Sequence, residues 1–63
     1  MNGDLHTSTR AVAWHAGNLQ AALAELAHRP TEERAHFALM ALQDAREAIQ
    51  ELVRDLVGEA RMP

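Results

Sequence analysis

The stretch AELAHRPTEERAH, residues 24–36, decides the fold of this chain. Pro30 has no backbone N–H to donate, and its ring clashes with the carbonyl four residues earlier, so a helix arriving from Ala24 has to stop here. Thr31, directly after it, is a sound N-cap, and Glu32 and Glu33 bring negative charge into the first turn of a second helix. The pattern on both sides of the break is helical. Before it, Val12, Ala16, Leu19, Leu23 and Leu26 recur at alternating spacings of four and three. Leu5 and Thr9 extend that row backwards, with Asp4, Thr7 or Ser8 competing to cap it. After the break, Ala35, Ala38, Leu42, Ala45, Ile49, Leu52 and Leu56 form a second row, and Gly58 is placed to end it.

Two helices joined by two or three residues run antiparallel. The sequence therefore predicts an all-α protein, an antiparallel two-helix hairpin forming one domain over residues 1–63. Its expected parts are a helix near 7–28, a turn at 29–31, a helix near 31–57 and a frayed tail at 58–63. Folding about Pro30 pairs the rows layer by layer: Leu26 with Ala35, Leu23 with Ala38, Leu19 with Leu42, Ala16 with Ala45, Val12 with Ile49, and Leu5 with Leu56. Near the turn large residues face small ones, which lets facing positions interdigitate.

Hydrophobic residues make up 48% of the chain and charged residues 24%, a folding composition rather than a disordered one. Much of the apolar share is alanine, which buries little area, and there is no cysteine to supply a disulfide. A second chain is the expected remedy, two hairpins dimerising into a four-helix bundle. The net charge is −3 and all six basic residues are arginine, with no basic stripe, so no nucleic-acid partner is expected. The opening MNGDLHTSTR has neither the basic start nor the apolar run of a secretory signal. No stretch reaches the length of a membrane span, and an acidic amphipathic chain suits a lipid surface poorly. The expectation is a cytoplasmic protein with no membrane partner.

A lone hairpin should be polar opposite its seam. Here Trp14, Gly17, Ala21 and Ala24 recur on the far side of the first helix, and HFALMAL places Phe37 and Met40 away from the seam of the second. A row of small residues lets another helix approach closely, and exposed large apolar patches mark interfaces. Trp14, Gly17, Ala21, Ala24, Phe37 and Met40 are thus the expected partner-binding residues, for a second copy and for any other protein. The run Asp44, Glu47, Glu51 and Asp55, relieved by Arg46 and Arg54, reads as a solvated face.

Two Glu-x-x-His pairs flank the turn, Glu25 with His28 and Glu33 with His36. Carboxylate and imidazole three apart share a helix side, and the set suits iron, manganese or zinc by ligand type. Both pairs point away from the rows that join the helices, so they would converge only against another chain. Ferritin-like sites instead place such ligands inside the bundle. Helix-end electrostatics explains the same residues, with His28 near one C-terminus and Glu33 near one N-terminus. A metal-binding oligomer is the alternative reading. His6 and His15 read as surface residues, and Ser8 and the threonines as caps. With no cysteine, no tyrosine and no glycine-rich phosphate loop, the expected function is a non-enzymatic protein–protein interaction module, such as a regulator, adaptor or assembly subunit.

Overall fold

The fold is described from a computed structural model that covers residues 2–61, with side-chain surroundings from Leu5 onward. Two helices make up the chain, α1 (Asn2–His28) and α2 (Glu32–Arg61), and no strand is present among the described residues. They lie side by side as an antiparallel hairpin. The Cα trace extends 51 × 13 × 11 Å, a long and narrow slab.

The break falls where Pro30 demands it. Thr31 caps α2: its Oγ1 accepts from the Arg34 N–H at 3.1 Å, and its carbonyl accepts from the Ala35 N–H at 2.9 Å. On the other side, the Arg29 N–H donates to the Glu25 carbonyl at 3.0 Å, closing the last turn of α1. Arg34 then reaches back across the break. Its Nη1 donates to the Arg29 carbonyl at 3.3 Å, and its Nε lies 3.6 Å from Glu25 Oε1. The turn contains no glycine and no positive φ among the described residues.

The helices meet along a row different from the expected one. The most buried residues are Ala22, Ala38, Ala45 and Ala48, at 3–8% exposure, together with Ser8. On α1 the inner seam runs Leu5, Ser8, Val12, His15, Leu19, Ala22 and Leu26; on α2 it runs Ala38, Ala41, Ala45, Ala48, Leu52 and Asp55. Every second position of the expected rows is kept. The others move back by one residue, so Ser8, His15 and Ala22 replace Thr9, Ala16 and Leu23, while Ala41, Ala48 and Asp55 replace Leu42, Ile49 and Leu56. That is a rotation of each helix by about 50° toward its small residues. Alanine and serine let two backbones approach closely, whereas leucines in the same places would hold them apart. The expected layers of Leu19 on Leu42, Val12 on Ile49 and Leu5 on Leu56 are therefore not closed, and Leu42, Ile49 and Leu56 remain about half exposed.

The ends differ too. Ser8 and Thr9 do not cap α1; their hydroxyls both donate to the Leu5 carbonyl, at 3.1 and 2.8 Å, inside a helix that starts at Asn2 rather than near residue 7. Gly58 does not end α2, which continues to Arg61. It has no positive φ, so it sits as an ordinary helical glycine at a cost of about 1 kcal/mol relative to alanine. Met62 and Pro63 of the expected tail lie outside the described residues. His15 is half-buried beside the seam, not a surface residue.

The tight seam makes a direct prediction. Ala45→Leu should destabilise the protein by about 1–3 kcal/mol through overpacking, read by urea denaturation. Ala24→Leu, at an exposed position on the back of α1, should stay within about 0.5 kcal/mol of the parent.

Candidate interaction surface

Putting alanines inside leaves the large side chains outside. No large side chain is fully buried among the described residues. On α2 the residues Leu39, Leu42, Arg46, Ile49, Val53 and Leu56 recur at spacings of three and four, and the five apolar ones are each about half exposed or more. Each of its positions follows an inner-seam position by one residue, so this outer seam is centred about 100° around α2 from the inner one. The corresponding strip of α1 on the same side of the slab carries Thr9, Ala13, Ala16, Gln20, Leu23 and Ala27. Neither strip contains a carboxylate, and Arg46 is their one charge.

The opposite side of the slab has a different character. Trp14 and Phe37, 69% and 63% exposed, form a cleft with Met40, His15, Asn18 and Asp44. The structure therefore brings together three of the expected partner-binding residues, Trp14, Phe37 and Met40. Gly17, Ala21 and Ala24 do not line that cleft; all three are exposed, Ala21 in the same row as Trp14, and Gly17 and Ala24 farther round the outside of α1. Nothing lies within 4 Å of a Cβ built on Gly17. This side is also acidic. Glu25 and Glu33 border the cleft's neighbour beside Phe37, and Glu51 and Asp55 line another with Thr7, Ser8 and Ala11. Of the expected solvated run, Glu51 pairs with Arg54 at 3.2 Å in the open. Such an exposed pair contributes little. Arg46 lies with Glu47 toward Leu39 and Leu42.

Glu25, His28, Glu33 and His36 are all exposed. Among the described residues of a single chain, no group of three or more His, Asp or Glu side chains is gathered closely enough to hold a metal ion. Glu25 faces the Arg34 guanidinium instead, 3.6 Å away, and a cation beside a would-be ligand opposes metal binding. Within one chain the quartet does not converge, as the sequence expectation for a lone hairpin had it.

The exposed apolar row that was not expected from the sequence is the outer seam of α2. Its signal was present: Leu39, Arg46 and Val53 complete a heptad with Leu42, Ile49 and Leu56 that lies beside the alanine heptad. Compared with known proteins, the chain matches no family model, no curated protein and no solved structure at a significant level. No helix among the described residues is long and apolar enough to cross a membrane.

Gly17 offers a test of which residues meet a partner. In open space, mid-helix, Gly17→Ala should raise stability by about 1 kcal/mol in thermal or urea unfolding. Destabilisation by that change would mean that a second backbone packs against Gly17.

Proposed function

We propose that this chain is a small non-enzymatic interaction module, a helical hairpin that works through its exposed apolar surface and associates with a second copy to form a four-helix bundle. One observation carries the reading: the residues buried most deeply between the helices are alanines and a serine, while Leu39, Leu42, Ile49, Val53 and Leu56 stay outside. Exposed apolar surface on this scale marks an interface.

The dimensions support the same reading. The chain exposes 5199 Å², whereas a compact protein of 7.0 kDa exposes about 4,000 Å². Its radius of gyration is 14.6 Å, against roughly 11 Å for a compact domain of this length. Burying the excess of about 1,200 Å² on each of two chains would give an interface of about 2,300 Å², within the range of obligate dimers. In this reading folding and association are one process, and a regulator, adaptor or assembly subunit is built from the dimer rather than from the hairpin.

Sedimentation equilibrium at low micromolar concentration tests it. The expected species has twice the 7.0 kDa chain mass; a folded species at 7.0 kDa would overturn the proposal.

A further inference from the structure

Self-association leaves open which face meets the second copy, and resting on that reading, the geometry points to one arrangement. We infer that the second copy covers the outer seam of α2, with both turns at the same end of the bundle, so that the outer seam of each α2 packs on the small-residue strip of its partner's α1.

The face is chosen by charge and by angle. A two-fold dimer sets a patch against itself. The Trp14 side would bring Glu25, Glu33, Asp44 and Glu51 of one copy against the same carboxylates of the other. The Leu42 side carries one carboxylate at its edge, Glu47, which lies with Arg46, Leu39 and Leu42. In a square bundle each helix also touches two neighbours roughly 90° apart, and the two seams of α2 are centred about 100° apart.

The direction is chosen by Arg46 and by volume. Two arrangements satisfy a two-fold on this face. With turns at opposite ends, each α2 lies antiparallel on its partner's α2. The middle of α2 (Glu32–Arg61) falls between Arg46 and Glu47, so full overlap would set Arg46 against the partner subunit's Arg46. Large side chains would also meet large ones. With turns at the same end, Leu42, Ile49 and Leu56 instead face the strip that holds Thr9, Ala13 and Ala16. Large then meets small, and Arg46 lies level with small residues, past which its stem can carry the guanidinium to water.

The chain has no cysteine, so a single one can be labelled cleanly. A nitroxide on Arg29→Cys, at the exposed turn, reports the separation of the two turns by pulsed electron–electron dipolar spectroscopy. A distance below about 30 Å supports the arrangement. A distance near 45 Å, the length of a 30-residue helix at 1.5 Å per residue, overturns it while leaving self-association standing. No dipolar coupling, together with a monomer mass, overturns both. The face is tested by substitution: Ile49→Arg should weaken the dimer by at least about a hundredfold, and Phe37→Arg by far less. The reverse order would overturn the choice of face.

Discussion

The packing of the alanine row of α2 against the seam of α1 is the constraint on which the rest of this structure depends. With Ala38, Ala45 and Ala48 on one helix and Ser8 and Ala22 on the other, the helices pack tightly. Each such contact buries little area, because a methyl group has little to bury. Tight packing at the seam therefore does not fill a core, and it turns the larger side chains outward. The exposed Leu42, Ile49, Val53 and Leu56 are a direct consequence of the alanines beneath them.

The turn fixes how those rows are aligned. Pro30 stops one helix, Thr31 starts the next, and Arg34 ties the two together through the Arg29 carbonyl and Glu25. These bonds are exposed and individually weak, yet they act on a loop too short to adjust in other ways. Glu25 and Glu33, which the sequence also offered as metal ligands, lie at this hinge of the molecule, where Arg34 already occupies Glu25. The same charges give the Trp14 side its acidic border, while Arg46 and Glu47 lie together at the Leu42 side.

The hairpin, its turn and its N-cap were legible in the sequence, because proline and threonine act through local backbone geometry. The rotation of each helix was not. Positions 38, 45 and 52 belong to both the expected row and the observed one, and the alternation of three and four is satisfied equally by 41 and 48 or by 42 and 49. Reading by hydrophobicity chose Leu42 and Ile49, since it rewards apolar area and ignores how close the backbones can come. The same preference hid the second heptad of α2, whose Arg46 breaks an otherwise apolar row. For the partner surface, Trp14, Phe37 and Met40 were legible as large residues off the seam. That Gly17 and Ala24 lie about 60° and 80° round α1 from Trp14 follows from their spacing alone, and grouping them by a loose alternation of three and four passed over it. His15 was missed because of the rotation.

If the alanine seam alone cannot hold the hairpin, stability must depend on how often two chains meet. Thermal unfolding followed by far-ultraviolet circular dichroism over a hundredfold range of concentration measures this directly. Each tenfold increase changes the free energy by about 1.4 kcal/mol, which for a dimer of this size should raise Tm by about 5 °C. A melting temperature independent of concentration, with full helicity kept at the lowest concentration, would contradict the account.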